Sequence, residues 1–337
     1  MPKTNLAPEN KTYSYALVNF ILEETKHSNI TFSYLSDKTG FSVTKIIDIF
    51  MEHCPDYKIP MPRVLCIDEI YLGRSSVKKY ATFCMDFETH LGFSFSYSRA
   101  IDDLVRVFSQ IPREQRLQVE YVSSDMYPGF IRMINTYFPK AKLCIDSFHI
   151  IKNINEAFKE VIQTTLKNLD KHSREYRLLK QNQKYLLSNR NKLDLTKIQY
   201  LKSHHYRIRL ITLIERMLDL DQNLRVAYQL KEDYLAFNMK YYFDENKFDS
   251  IVMKFKNSKL ESYKRIPNML IKNKEYIKNS FTRINGKRIS NGPIESRNKS
   301  IKNILFNANG YRGFDLLLKR VFHVLNHIQQ HKNRRNQ

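Results

Sequence analysis

Apolar positions recur at helical spacing from Tyr13 to Lys26, where Ala16, Leu17, Phe20, Ile21 and Leu22 build one side of a helix. A second short helix is predicted over about Thr31–Lys38, and Gly40 interrupts the pattern. Ser42 is a good N-cap for a third helix, Val43–His53, with Ile46, Ile47, Ile49 and Phe50 on its apolar side. Three short helices with a glycine-containing turn before the last have the rhythm of a helix-turn-helix. Residues 1–58 are therefore expected to form a small helical DNA-binding domain, and Pro60 and Pro62 mark a linker.

The texture then changes to strand. Val64-Leu65-Cys66-Ile67 is a continuous apolar run, as in a strand buried on both faces. Lys79–Met85 and Leu91–Tyr97 read as two further strands joined by a turn-rich segment, and Ala100–Ile111 as a helix with Leu104, Val105 and Phe108 on one face. Gln118–Ser123 is a fourth strand, Gly129–Tyr137 a helix and Ala141–Ile145 a fifth strand. The order βββαβαβ predicts an α/β fold, a mixed sheet with helices on its faces. Beyond Asp146 the pattern is overwhelmingly helical to about Asn279, without an internal repeat. Asn291-Gly292-Pro293 supplies a turn and a proline suited to a first helical turn, so helices are predicted at about Ile294–Phe306 and Phe314–Gln330.

Charge adds a partner to this picture. The 337 residues carry 56 Lys and Arg against 34 Asp and Glu, a formal net charge of +22, which points to a large anionic partner. A hydrophobic content of 42% excludes a disordered polycation. No apolar run approaches the roughly 18 residues of a membrane span, and the N-terminus has no secretion signal. The four cysteines form no close pair, so a disulfide scaffold is not expected and a reducing, cytoplasmic compartment is.

In so basic a chain the isolated acids carry the candidate chemistry. Asp68 closes the first strand and Asp125 follows the fourth. If those strands are parallel neighbours, the two carboxylates stand about 5 Å apart and repel each other unless a cation lies between them. Hard oxygen donors suit Mg²⁺, and paired ions are the common device for in-line phosphoryl transfer. Glu295, in the first turn of its helix beside Arg297, Asn298, Lys299 and Lys302, is the best third acid. Complementing the helix dipole is its plainer role.

Several blocks stand in a specific order: Cys66-Ile67-Asp68-Glu69, Ser124-Asp125-Met126, Phe138-Pro139-Lys140-Ala141, Asp146-Ser147-Phe148-His149, Gly292-Pro293-Ile294-Glu295-Ser296-Arg297-Asn298 with Ile301-Lys302, and Asn309-Gly310-Tyr311-Arg312-Gly313-Phe314. In that order they resemble the bacterial insertion-sequence transposases of the ISL-three family, over about residues 61–328. The resemblance implies an RNase H-like DDE catalytic domain split between residues 61–149 and 288–330, with a helical insertion at 150–287. It implies Asp68, Asp125 and Glu295 as the catalytic, metal-binding triad, two Mg²⁺ ions replaceable by Mn²⁺, and cleavage of phosphodiesters at element ends followed by strand transfer. Double-stranded DNA, as terminal repeats and target, is the implied partner, with a homo-oligomer working on DNA near the nucleoid.

Around the triad, Asp146 and His149 form a D-x-x-H pattern and are expected to support the site, with capping of the following helix as the local alternative for Asp146. Arg297, Asn298, Lys299, Lys302 and Arg312 are expected to contact DNA. Tyr311 and Phe314 are candidates for stacking on an unpaired base or for the core. Lys231, Lys240, Tyr241 and Tyr242 in the insertion are candidates for tracking DNA or joining copies. Members of this family usually begin with a cysteine-rich zinc ribbon, whereas Cys54, Cys66, Cys84 and Cys144 are scattered here, so no zinc is expected. A catalytically inactive or N-terminally shortened transposase that binds ends and represses is the competing reading. An RNase H-like nuclease acting on RNA–DNA hybrids is a third.

Overall fold

A computed structural model describes residues 6–72, 79–96, 98–202, 205–308, 311 and 313–327. They fall into two compact units, Met1–Cys144 with Ile284–Gln337 and, separately, Ile145–Arg283.

The first unit opens with helices α1 (Tyr15–Glu24), α2 (Phe32–Thr39) and α3 (Val43–His53). Each starts where a hydroxyl side chain accepts a backbone N–H of the first turn: Ser14 from Leu17, Thr31 from Tyr34 and Ser42 from Lys45. Gly40 ends α2 at φ +74°, a left-handed conformation that glycine adopts without penalty. Val18, Ile21, Leu35, Ile46, Ile49 and Phe50 close a core between the three. These helices are not a separate body; they belong to the same compact unit as the sheet.

Next come β1 (Val64–Tyr71), β2 (Tyr80–Asp86), β3 (Gly92–Ser96), α4 (Ile101–Ser109), the short α5 (Arg113–Arg116), β4 (Tyr121–Ser124), α6 (Pro128–Tyr137) and β5 (Lys142–Ile145). The sheet order is β3-β2-β1-β4-β5. β2 is antiparallel to both β1 and β3, and β4 is parallel to β1, so the sheet is mixed. It is an α/β arrangement consistent with the RNase H-like fold. The last part of the unit supplies α14 (Gly292–Asn307) and α15 (Phe314–Asn326), numbered after the helices of the second unit. Ile294, Ile301 and Ile304 of α14 and Leu317, Val321 and Leu325 of α15 form one core with Cys66, Ile70, Ala81, Phe83 and Met85 of the sheet. Strand side chains alternate faces, so this face of β1 is the one that carries Asp68.

The C-terminal helix also grips the N-terminal ones through their backbone carbonyls. Arg320 Nη2 donates to His27 O (2.8 Å) and Ile30 O (2.9 Å), and Lys319 Nζ to Met51 O (2.7 Å). His323 Nε2 donates to Leu22 O (2.8 Å), which leaves Nδ1 of the neutral ring to accept the Tyr57 hydroxyl (2.8 Å).

In the second unit, α7 (Ser147–Asn168) packs against α8 (Arg174–Leu187) and α10 (Gln222–Asn238), with α9 (Leu210–Leu218), α11 (Glu245–Asn257), α12 (Arg265–Lys272) and α13 (Lys274–Asn279) completing the bundle. A hairpin of β6 (Ile198–Leu201) and β7 (Tyr206–Arg209) interrupts a stretch that the sequence pattern assigns to helix. Lys231 is fully buried: its ammonium donates to Leu186 O and Ser188 O at the end of α8 and pairs with Glu232. That position makes it an internal helix cap, not a DNA-tracking cation. Lys240 pairs with Asp244, while Tyr241 and Tyr242 are exposed. Among the described residues, no helix is long and apolar enough to cross a membrane.

Candidate active site

Asp68 lies inside β1, not at its end. The apolar run stops at Ile67, but backbone pairing with β2 needs no apolar side chain and continues from Leu65↔Asp86 to Tyr71↔Tyr80. What closes at this level is the other ladder. β1 and β4 pair at Val64↔Tyr121, Leu65↔Val122 and Cys66↔Ser123. That register carries an offset of 57 residues, which is also the separation of Asp68 and Asp125. Extended by two residues, it sets the two aspartates level on one face, just past the last paired residues of neighbouring strands that run about 4.8 Å apart. Asp125 is half-buried, and its Oδ1 accepts the Tyr127 N–H (2.9 Å) in a local turn.

Both oxygens of Asp68 are held. Oδ1 accepts the backbone N–H of Glu69 (2.9 Å), and Oδ2 accepts Asn298 Nδ2 (2.7 Å). Asn298 sits on α14, 5% exposed, three residues after Glu295 and four before Lys302. This spacing runs Glu295, Asn298 and Lys302 along one stripe of the helix. Glu295 and Lys302 lie at its exposed edge and Asn298 where the stripe meets the sheet. A second asparagine, Asn291, donates to Ile67 O (3.2 Å), pinning the β1 backbone immediately before Asp68.

The other expected DNA contacts separate. Lys299 and Lys302 are exposed. Arg297 is half-buried, donates through Nε to His90 O (3.2 Å), and burial lowers its pKa. Asn298 is buried with its amide on Asp68, a placement that nothing in its sequence context signals except the helical spacing from Glu295. Arg312 lies outside the described residues. Tyr311 is half-buried between the two cores of the unit, and Phe314 stacks on Phe95 with ring centroids 5.6 Å apart. In the second unit, Asp146 is buried and caps α7, its Oδ1 accepting Phe148 N–H (3.4 Å), and His149 is half-buried in the first turn. Cys54, Cys66, Cys84 and Cys144 are all buried, and burial pushes the thiols of Cys54 and Cys144 up to about 12.

Among the described residues, no three His, Cys, Asp or Glu side chains gather closely enough to hold one ion together. The structure sets Asp68 and Asp125 level where the β1–β4 ladder ends and places Glu295, exposed, on the helix that reaches Asp68. The donor chemistry nonetheless fits a hydrated divalent cation, since every candidate is a hard oxygen. Three buried polar atoms beside the carboxylates, Ser123 Oγ, Asn291 Oδ1 and Asn298 Oδ1, have no partner among the described residues. Ordered water around such an ion would supply what they lack.

A family model described as a transposase, for DDE enzymes of the ISL-three group, matches residues 65–321. The chain belongs to the ISL-three family of DDE transposases. The match runs from β1 to α15 and takes in the whole second unit, so the helical segment between β5 and α14 is part of the transposase pattern. Membership makes this a transposase, in a family that acts on DNA and uses divalent metals. No curated protein matches the chain.

Proposed function

We propose that this transposase cleaves phosphodiesters at the ends of an insertion sequence and joins the freed 3′ ends to target DNA. Asp68, Asp125 and Glu295 hold two Mg²⁺ ions, for which Mn²⁺ can substitute. When bound, such ions supply nucleophile activation and charge stabilisation at the leaving 3′-oxygen. In the first step a water oxygen bonds to phosphorus and the P–O3′ bond breaks; in the second, the freed 3′-hydroxyl displaces in the same way on target DNA. No serine or tyrosine is needed as a covalent nucleophile.

The observation that carries this reading is the β1–β4 register, which levels Asp68 with Asp125 on the face covered by the Glu295-bearing helix. Lys299 and Lys302, exposed on that helix, would hold substrate phosphates, and Arg312 follows the same helix in sequence. The family resemblance further gives Asp146 and His149 supporting roles. Two ends must be processed together, so the working form is an oligomer on DNA.

Supercoiled plasmid carrying the DNA that flanks the gene, incubated in Mg²⁺ or Mn²⁺, provides the test. Wild type should break it at the element ends. Asp68→Asn, Asp125→Asn and Glu295→Gln should each lose cleavage by on the order of 10³-fold or more while still shifting end DNA on a gel. Binding without breaks by the wild type would sink the catalytic reading in favour of a repressor, and preferential cutting of RNA–DNA hybrids would favour a nuclease.

A further inference from the structure

We propose that Asn298 is a positioning residue that locks the Asp68 carboxylate in its ligating orientation, rather than a DNA contact; this rests on the reading of Asp68 as a metal ligand. The side chain is 5% exposed, too deep to meet a phosphate, and its Nδ2 donates to Asp68 Oδ2 at 2.7 Å. With Glu69 N–H on Oδ1, both carboxylate oxygens accept a donor, which fixes the plane of the group. A carboxylate oxygen can accept such a donor and still ligate an ion.

Packing alone does not explain an asparagine here. Its Oδ1 is buried with no partner among the described residues, a cost that an apolar side chain of similar size would avoid. The neighbouring residues on α14, Ile294, Ile301 and Ile304, face the core as ordinary aliphatics. The amide is therefore kept for what its donor does to Asp68, and α14 ties two parts of the site together: Glu295 projects from one turn and Asn298 orients Asp68 from the next.

The test follows Mn²⁺ binding to the full chain by electron paramagnetic resonance without DNA, for wild type, Asp68→Asn, Asn298→Ala and Asn298→Leu, which keeps the volume and loses the donor. Gel shifts in EDTA report DNA affinity, and thermal unfolding confirms folding. Asn298→Ala should weaken Mn²⁺ binding about 10–100-fold, the usual loss on removing an outer-shell partner, with DNA affinity unchanged. Asn298→Leu should weaken Mn²⁺ binding as much as Asn298→Ala while leaving the unfolding midpoint close to that of wild type. A merely structural role would not weaken Mn²⁺ binding in a variant of unchanged stability, and the leucine variant carries the test if the alanine variant fails to fold.

Mn²⁺ binding that responds to Asp68→Asn but to neither Asn298 variant overturns the positioning role alone. Indifference to Asp68→Asn as well overturns the ligand reading beneath it. Loss of DNA affinity with Mn²⁺ binding intact returns Asn298 to the DNA-contacting residues.

Discussion

The two C-terminal helices join the sheet in opposite ways, each through a buried asparagine. On α15, Asn326 closes both of its polar groups on one residue of the edge strand: Oδ1 accepts Gly92 N–H (2.8 Å) and Nδ2 donates to Gly92 O (2.9 Å). Gly92 leaves no room for more, since a Cβ there would stand 2.8 Å from Phe322 Cε1 and 3.1 Å from Phe83 Cε2. On α14, Asn298 uses only its donor, on a carboxylate, and Asn291 likewise uses only its donor, on Ile67 O. The first seam is complete as it stands. The second leaves the Oδ1 atoms of Asn291 and Asn298 without a partner among the described residues, the difference expected if the first contact serves stability and the second the proposed metal site.

Substitution by leucine sharpens this contrast most. Asn326→Leu strands a buried N–H and a buried carbonyl of Gly92, and should cost roughly 2–5 kcal/mol in a denaturant titration. Asn298→Leu should stay within about 1 kcal/mol of wild type, because its Oδ1 is already unpartnered and Asp68 is half-exposed to water. Equal losses would erase the distinction between the seams.

Acid should loosen the α15 seam next. Burial, with Arg320, His327 and Lys26 nearby, holds His323 neutral and pushes its pKa down to about 4, whereas the unfolded chain takes up that proton near pH 6.5. The contribution is present in full above about pH 6.5 and is lost as pH falls toward 4, by roughly 3 kcal/mol at most. Unfolding midpoints should therefore drop across that window, and the drop should be shallower in His323→Gln. The smallest effect belongs to the exposed edge of α14: Lys302→Ala should reduce the slope of log affinity against log salt by about one, with little change in stability.

Much of this was legible in the chain. Ser42 marks a true helix start because a cap is a local bond between residues three apart, visible in any window of sequence, and Ser14 and Thr31 cap α1 and α2 in the same way. The mixed sheet follows from runs such as Val64–Ile67 and Leu143–Ile145, which are apolar because both faces are covered. The β6–β7 hairpin was not legible, since Ile198 and Tyr200 are exposed and its strands carry no clean alternation. The end of β1 was misplaced for a related reason: past Ile67 the strand is held by β2, and hydrogen bonding to a neighbour leaves no mark in side-chain hydropathy. Asn298 stood among cations and reads as one more polar contact. Only the register of α14 against β1, a long-range fact, turns it toward Asp68.

The central claim is that the carboxylates at the β1–β4 opening, faced by α14, form the metal site. Anomalous diffraction from the protein bound to an element end in Mn²⁺ tests it most directly. Manganese peaks within ligating distance of Asp68, Asp125 and Glu295, with Asn298 still on Asp68, are the predicted result. Peaks elsewhere, for instance at Asp146 and His149, or none at Asp68 at millimolar Mn²⁺, would contradict it.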